Sequence, residues 1–251
     1  MKTRRIQEME DYIHHQGTVT LDELCDYFDV SKNTIRRDLN KIIENGHVQK
    51  VYGGVTSLNI NQLQSYEKRS ATYDEQKQVI GKFAASLVEN GDLIFIDSGT
   101  TTRYMAKYLD PELNLTLVTN NLDVINAVAD YPHYRIILIG TTFKSSTRSF
   151  VNIEDQGLID RINISKAFMA ASALSIDRGV TNSDMFEYEI KHQIVEKASK
   201  NYLLVDSSKF NKAALTTYAS IESFDGIITD CVPEKKYITF CNEHDITIHY
   251  P

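Results

Sequence analysis

The segment Ser31-Lys-Asn-Thr-Ile-Arg-Arg-Asp-Leu39 places apolar and polar residues on opposite sides of a helix. Ile35 is followed by Leu39, Ile42 and Ile43 at helical spacing, so these residues form one apolar face. The other face carries Arg, Asn, Lys and Thr, which can hydrogen-bond guanine, adenine or phosphate. The segment predicts an amphipathic helix that either reads a DNA groove or presents an ordinary solvated basic face. Its candidate DNA-binding residues are Lys32, Asn33, Thr34, Arg36, Arg37, Asn40 and Lys41.

The neighbouring residues favour the first alternative. Thr20-Leu-Asp-Glu23 has the capping-box pattern that begins a short helix over 21–28, and an earlier amphipathic helix is predicted over 4–15. The alternating stretch 47–56, interrupted by Gly53-Gly54, predicts a β-hairpin. Three helices and a hairpin make a winged helix-turn-helix, with the third helix in the groove and the wing on the backbone. The hairpin adds Lys50 and Tyr52 to the candidate DNA-binding residues.

Charge is distributed in agreement with this interpretation. Residues 31–57 carry five Lys and Arg residues against Asp38 and Glu44, and five minus two leaves a local charge of +3. The whole chain has a formal net charge of −7, but DNA binding needs only a local positive potential. We expect Asp38 to pair with a nearby base inside the domain and so to position the helix.

Composition limits the remaining possibilities. The 251 residues are 42% hydrophobic, enough for a small domain and a medium one. No apolar run approaches the ~20 residues that a membrane helix needs, and the amino terminus has no signal-like apolar segment. Cys25, Cys231 and Cys241 are odd in number and lack metal-ligand spacing. We therefore expect a cytoplasmic protein with reduced thiols, no metal and no cofactor.

After a polar segment at 58–72, the sequence changes to apolar strand-like runs that alternate with helical stretches. The sequence predicts a DNA-binding domain over 1–57, a linker over 58–72, and an α/β domain over 73–251 with a largely parallel sheet. The predicted strands are 93–96, 115–119, 135–139, 166–171, 202–205, 226–229 and 246–249, and the predicted helices are 73–89, 101–109, 122–129, 185–199 and 233–243.

The sharpest chemical feature of the second domain is the segment 95–102. A buried strand ends in Asp97 and turns through Ser98-Gly99 into a helix that begins with Thr100, Thr101 and Thr102. Free backbone N–H groups, the helix dipole and the hydroxyls favour an anion there. The segment lacks the Lys of a nucleotide-binding P-loop, so a compact phosphate on a small metabolite fits better than a nucleotide. The alternative is a capped helix with no ligand.

Polar residues near other strand ends are candidates for lining the same site. Lys144, Arg148 and Lys209 can neutralise a phosphate or carboxylate, or lie on the surface. Asp184 either caps a helix or binds a hydroxyl. For Glu187 and Lys191, at helical spacing, we expect a solvated ion pair. The full set of candidate effector-binding residues is Asp97, Ser98, Gly99, Thr100, Thr101, Thr102, Asn120, Lys144, Arg148, Asp184 and Lys209.

Several motifs resemble those of the DeoR family of bacterial transcriptional regulators. They are Arg5, the pattern Ser31-x-x-Thr34-Ile35-Arg36-Arg37-Asp38-Leu39, and Val51-Tyr-Gly-Gly-Val55. The stretches 5–10, 95–102 and 182–191 are most similar to regulators of myo-inositol catabolism. This resemblance implies a repressor whose effector domain is similar to ribose-5-phosphate isomerase. It also implies operator release by a phosphorylated intermediate of the 2-deoxy-5-keto-gluconate 6-phosphate type.

The same resemblance raises an alternative, a sugar-phosphate isomerase that carries a DNA-binding domain. Aldose–ketose isomerisation requires a general base beside the substrate. The isomerase motif has two acidic residues, whereas the matching segment 171–177 retains only Asp177. The sequence therefore favours binding without turnover. Because repressors gain affinity by pairing half-sites, we also expect a homo-oligomer, a dimer or a tetramer.

Overall fold

The computed structural model describes residues 5–6, 8–10, 12–13, 18–44, 48–51, 53–57, 66–152 and 157–251. It divides the chain into two compact units, Met1–Gln62 and Leu63–Pro251. Among the described residues, no helix is both long and apolar enough to cross a membrane. Within the same residues, Cys25, Cys231 and Cys241 form no disulfide.

The first unit is a winged helix-turn-helix, as the sequence predicts. Its apolar core contains Met9 and Ile13 of α1, Leu24 of the second helix, and the predicted apolar face of the third. The Thr20 hydroxyl accepts a hydrogen bond from the Glu23 backbone N–H at 3.2 Å, and Glu23 Oε2 accepts one from the Thr20 N–H at 2.7 Å. The capping box is thereby confirmed. The elements are α1 (helical residues 5–6, 8–10 and 12–13), β1 (Thr18–Thr20), α2 (Leu21–Phe28), α3 (Lys32–Glu44), β2 (Val48–Val51) and β3 (Gly54–Ser57).

Strand β1 is not predicted from the sequence. It pairs antiparallel with β3, so the hairpin β2–β3 becomes a three-stranded sheet in the order β1-β3-β2. Three residues are too few for an alternating pattern to be recognised. The strand exists because β3 supplies a partner edge.

The second unit is built on a seven-stranded parallel sheet in the order β15-β14-β12-β9-β4-β5-β6. Two smaller antiparallel sheets accompany it, β10-β11-β13 and the hairpin β7–β8. The helices are α4 (Tyr66–Ala71), α5 (Asp74–Ala85), α6 (Thr102–Ala106), α7 (Leu122–Val128), α8 (Gly157–Arg161), α9 (Tyr188–Lys197) and α10 (Lys235–Glu243). The strands are β4 (Leu93–Ile96), β5 (Leu115–Thr119), β6 (Tyr134–Leu138), β7 (Thr142–Lys144), β8 (Ser149–Val151), β9 (Lys166–Ala170), β10 (Ala173–Ser175), β11 (Gly179–Asn182), β12 (Asn201–Leu204), β13 (Thr216–Ala219), β14 (Gly226–Ile228) and β15 (Thr247–His249).

Both faces of the parallel sheet are covered by helices. Ile94 and Ile96 of β4 pack against one cluster, which contains apolar residues of α5, α6 and α7. Phe95 belongs to a second cluster, with apolar residues of α8, α9 and α10. Neighbouring residues of a strand point to opposite faces, so both faces are buried. A ligand of such a sheet binds beyond the carboxyl ends of the strands.

The segment predicted as a linker, 58–72, contains the helix α4. Residues 58–65 lie outside the described residues. The side chain that fixes α4 is Tyr66, which is 5% exposed and donates a hydrogen bond to Asp123. The weak periodicity of the segment does not predict this helix, because a partner from another element fixes it.

Candidate nucleic-acid interface and ligand pocket

Helix α3 has the two faces that the sequence predicts. Ile35, Leu39 and Ile42 are at most 2% exposed, and Ile43 packs partly against the same core. The opposite face is open to solvent. The exposed candidate DNA-binding residues are Lys32, Asn33, Arg36, Arg37, Asn40, Lys41 and, on β2, Lys50.

Some candidate DNA-binding residues have local partners or cannot be described. Lys32 forms an exposed ion pair with Asp22, at 2.5 Å between Nζ and Oδ1. Thr34 is half-buried, and its hydroxyl lies 3.1 Å from the Ser31 hydroxyl beside the helix start. Tyr52 lies outside the described residues. A cleft of about 280 Å³ separates α3 from the hairpin, with Arg36 among the residues that line it.

Asp38 is an internal partner of the helix, as predicted. It is 1% exposed, and its Oδ2 accepts from Arg5 Nε at 2.9 Å and lies 2.7 Å from Arg5 Nη2. This pair holds α1 against α3. Because the carboxylate is buried and paired, the exposed face of α3 keeps its positive charge.

The loop after β4 offers unused hydrogen-bond donors. Among the described residues, the hydroxyls and the backbone N–H groups of Thr100 and Thr101 have no protein acceptor. The Thr102 hydroxyl is different, since it donates to the Asp97 carbonyl at 2.7 Å and closes the turn. A Cβ on Gly99 would lie 2.5 Å from the Ala170 Cβ, so only glycine fits. The loop can therefore bind a compact anion.

Asp97 lies beneath this loop and supports it. Its side chain is fully buried and accepts hydrogen bonds from the backbone N–H groups of Ser98 and Ala170, each at 2.8 Å. It also pairs with the Lys191 ammonium, which donates in addition to the Ala170 carbonyl at 3.1 Å. Burial raises the pKa of Asp97, and the Lys191 charge opposes this shift. Protein donors thus hold the carboxylate, and the geometry assigns it to building the loop.

The expectation of a solvated ion pair between Glu187 and Lys191 is wrong. The two residues are 4% and 1% exposed, and each has other partners. Glu187 Oε1 accepts from the Ser98 hydroxyl at 2.9 Å and the Ser149 hydroxyl at 2.8 Å. Its Oε2 accepts from Asn182 Nδ2 at 2.9 Å. Helical spacing identifies residues that share a face, but it does not say whether that face is covered.

Two lysines and a carboxylate form a charged group just after β12, in which Lys77 and Asp206 are buried and Lys209 is half-buried. Lys77 of α5 is 2% exposed, and its ammonium donates to the carbonyls of Arg69 and Thr72, the latter at 2.7 Å. Burial lowers the pKa of Lys77 to about 8, with Asp206 opposing the shift. Burial also lowers the pKa of Lys209, whose Nζ lies 4.0 Å from Asp206 Oδ2. Within the described part of the chain, Asp206 Oδ2 is buried without a hydrogen-bond partner.

The sequence analysis does not identify Lys77 as a site residue, although the sequence contains a pattern that indicates its burial. Ile80, Gly81 and Ala84 follow Lys77 at spacings of three, four and seven, and all are buried. A lysine on an apolar helix face needs an internal partner, since burying an unpaired charge is costly. Arg69 carries no comparable signal.

The remaining candidate residues lie in two places, beside the loop and at Asp123. Asn120 Nδ2 lies 3.3 Å from the Ser98 hydroxyl, next to Glu187, and within the described residues Asn120 Oδ1 is buried without a partner. Asp184 caps the turn before α9 and accepts from Lys144 Nζ at 2.5 Å. These residues border the loop. Arg148 instead donates from Nε and Nη2 to Asp123, at 2.9 and 2.6 Å.

Asp177, the acid that the enzyme alternative requires, lies elsewhere. It is exposed in the turn between β10 and β11. The loop and the residues that border it form the candidate ligand pocket, whose unused donors at Thr100 and Thr101 suit an anion. Glu187 borders the loop through its hydrogen bond from Ser98, and the charged group of Lys77, Asp206 and Lys209 belongs to the same unit.

A winged helix-turn-helix followed in the chain by an α/β unit with a candidate anion site is typical of one class of protein, the ligand-responsive DNA-binding regulators. The chain belongs to the DeoR family of this class. Residues 5–61 match the DeoR-like helix-turn-helix domain, and residues 72–231 match the DeoR C-terminal sensor domain. The resemblance seen in the motifs is thereby confirmed.

Curated relatives extend over the whole chain. It is 49% identical over 249 residues to the HTH-type transcriptional regulator IolR of Bacillus subtilis (strain 168), covering 99% of each chain. It is 30% identical to the glycerol-3-phosphate regulon repressor of Escherichia coli (strain K12), covering 98% of each. Among solved structures, ribose 5-phosphate isomerase A from Methanocaldococcus jannaschii aligns with 55% of this chain and 55% of its own, at 16% identity and a TM-score of 0.41.

Proposed function

We propose that this chain represses a carbohydrate catabolic operon, that of myo-inositol, and leaves its operator when a phosphorylated sugar or sugar acid binds the pocket. The observation that carries the proposal is the set of four unused donors at Thr100 and Thr101. These donors lie just after a buried strand, in the unit that also contains the buried Lys77 and the half-buried Lys209. The 49% identity to IolR supports the choice of operon.

Phosphate explains features of the pocket that a neutral sugar does not. Four donors at a helix start satisfy the oxygens of one tetrahedral anion. Lys77 and Lys209 face one carboxylate, Asp206, and a second anion would balance their charge. At the other end, the unpartnered Asn120 Oδ1 and the carboxylates of Asp184 and Glu187 provide acceptors for hydroxyl groups. A polyhydroxylated molecule with one terminal phosphate meets both requirements.

We propose binding without turnover. Isomerisation needs a base that is free to take a proton from the substrate. Asp177 is exposed in a remote turn, and Glu187 already receives hydrogen bonds from Ser98, Ser149 and Asn182. The relatives are named as regulators and repressors, which supports the same conclusion.

Operator DNA is bound by the exposed face of α3 and by the hairpin. We further propose that residues 1–57 bind DNA, that 58–72 connect the domains, and that 73–251 bind the effector. Two chains or four acting together would place two helices on two half-sites, since symmetric oligomers match symmetric operators. The protein acts where operator and metabolite meet, in the cytoplasm.

Calorimetry on the full chain with matched pairs of compounds tests the ligand proposal. The pairs are 2-deoxy-5-keto-gluconate 6-phosphate and its dephosphorylated form, and glucose 6-phosphate and glucose. We expect binding and a rise in the unfolding temperature only with phosphorylated members, because a ligand of the native state stabilises it. Tighter binding of either dephosphorylated compound would contradict the proposal, as would measurable isomerisation of a bound sugar phosphate.

A further inference from the structure

Helix α4 is the first helix of the second unit and is fixed by other residues of that unit. Residues 58–65 connect it to β3 in the sequence. Its first residue, Tyr66, is 5% exposed and donates a hydrogen bond to the Asp123 carboxylate at the start of α7. The pKa of Tyr66 is raised to about 12 by burial and by Asp123, so the phenol stays a proton donor at neutral pH.

Three guanidinium groups surround the Tyr66 ring. The Cζ atoms of Arg69, Arg148 and Arg103 lie 5.7, 5.8 and 5.9 Å from the ring centroid. Arg148 also binds Asp123 through Nε and Nη2. We call Tyr66, Asp123 and these three arginines the Tyr66 clamp. It ties the beginning of α4 to α6, α7 and the segment before β8.

The other end of α4 is tied to the ligand pocket. The buried ammonium of Lys77 donates to the carbonyls of Arg69 and Thr72, at the carboxyl end of the helix. The same ammonium interacts electrostatically with Asp206 and Lys209. The charge of Arg69 acts on Glu187 and Asp184. Arg69 is therefore part of α4, and Lys77 holds the end of this helix. Both cations interact electrostatically with charged residues near the candidate pocket.

We propose that α4 couples the ligand pocket to the DNA-binding unit. The bound anion fixes α4 through Lys77 and Arg69, and the Tyr66 clamp defines the position in which the helix is fixed. Lys77 has three N–H donors and uses two of them on the carbonyls of Arg69 in α4 and of Thr72 just after it, so the third is left for an anion at Thr100 and Thr101 without breaking either bond. The anion thus stabilises the docked helix. A docked α4 restricts the positions of the chain that enters from β3, and this restriction opposes simultaneous binding of two operator half-sites.

Hydrogen exchange on the full chain, with inorganic phosphate as the probe and chloride at equal ionic strength as the reference, tests the coupling. This inference rests on the proposed anion site, so two segments are followed, the loop 98–102 and the helix 66–72. We expect phosphate to slow exchange in both, by at least about fivefold in 66–72, the lower end of ordinary coupling between sites. Slower exchange in the loop with no change in 66–72 overturns the coupling and leaves the site standing. No change in either segment overturns both.

Two matched variants separate the clamp from general stability. Tyr66→Phe removes the hydroxyl that binds Asp123. Tyr134→Phe removes the hydroxyl that donates to the Asp110 carbonyl at 2.9 Å, a bond that involves neither α4 nor a residue of the clamp. We expect Tyr66→Phe to keep phosphate protection of the loop and lose most of the protection of 66–72, and Tyr134→Phe to keep both. Protection of 66–72 that is equal in the two variants contradicts the clamp.

A second experiment measures release of operator DNA. The operator is selected by the full chain from random duplexes, and 2-deoxy-5-keto-gluconate 6-phosphate is the probe that releases it. Tyr66→Phe weakens the docked position of α4, so it should bind this operator like the parent and need at least about fivefold more probe for release. Tyr134→Phe should follow the parent curve. Release of operator by the probe at the parent concentration in Tyr66→Phe overturns the inference.

Discussion

Lys191 and Asp97 are buried ions, and each has a different role from the one that its local sequence pattern predicts. Lys191 lies on a helix with carboxylates at helical spacing, yet its partner is Asp97, 94 positions away in the chain. Asp97 follows an apolar strand, as the sequence indicates, but its carboxylate binds protein donors. Local patterns identify the loop and its hydroxyls as candidates, and this stays a prediction. They cannot identify the buried partners, because those depend on which elements the fold brings together.

Lys191→Met should destabilise the protein strongly. It leaves the Asp97 carboxylate buried without its cation, and breaking a buried pair by removing one partner costs about 3–5 kcal/mol. Urea unfolding measures the effect. Lys197→Met on the same helix is the control, since Lys197 is a surface residue paired with Asp160. The double variant Asp97→Asn with Lys191→Met should be more stable than Lys191→Met alone. Equal stability of Lys191→Met and the Lys197→Met control would contradict this account.

Effector affinity should fall as pH rises through about 8, the value to which the pKa of Lys77 is lowered. The charged lysine favours a bound phosphate, and above this pH an increasing fraction of the protein has lost that charge. A phosphate monoester has a second pKa of about 6, so the ligand remains a dianion over this range. Calorimetry with a sugar phosphate from pH 7 to 9.5, at about constant ionic strength, measures the change. Lys77→Gln is the control and should bind weakly with a smaller step. A parent affinity that is constant over this range would exclude Lys77 from the site.

At the scale of elements, the sequence predicts the parallel sheet well and the smaller sheets poorly. The predicted strands 93–96 and 115–119 agree with β4 and β5, and the others agree within about one residue. The inner strands β4 and β14 are continuous apolar runs, because both of their faces are buried. The hairpin β7–β8 and the sheet β10-β11-β13 are short, and polar residues interrupt them. The periodic spacing of apolar residues predicts helix α3. It does not predict α4, because Tyr66, Lys77 and their partners in other elements hold that helix in place.

Arg37→Ala should weaken operator binding and leave effector binding unchanged. Arg37 is exposed on α3, opposite the buried Ile35 and Leu39. A base contact by such a residue contributes about 1–3 kcal/mol, which is roughly five- to 150-fold in affinity. Gel-shift titrations at fixed salt measure it. Arg178→Ala, which removes an exposed arginine in the turn between β10 and β11, is the control. An operator affinity of Arg37→Ala equal to that of the control removes Arg37 from the reading surface.

At the scale of the whole molecule, the two units divide recognition of DNA and of ligand. The first unit has its own apolar core, and the second contains the pocket and the helix α4. The local charge of +3 over 31–57 coexists with a net charge of −7, so DNA affinity should depend on a limited number of contacts. We propose that pairing of two chains supplies the affinity that one small unit lacks.

Residues 1–57 alone should bind the operator much more weakly than the full chain. One winged helix makes few phosphate contacts, and the second unit is expected to bring two of them together. Gel-shift titration of both proteins at equal salt, with sedimentation of the full chain at the same concentration, measures the difference. A full chain that is monomeric and still binds tightly would contradict this expectation.

The central claim is that a phosphorylated effector releases DNA by binding the loop at Thr100 and Thr101, and operator release in the variant Thr100→Ala with Thr101→Ala tests it most directly. Each lost hydrogen bond to a charged group costs about 1.5–3 kcal/mol, so effector affinity should fall at least about tenfold. Operator affinity without effector should stay at the parent value, because neither residue lies in the DNA-binding unit. The account predicts a release curve shifted to higher effector concentration by the same factor as the affinity. Coincident release curves for parent and variant would contradict it and would make the loop a helix cap alone.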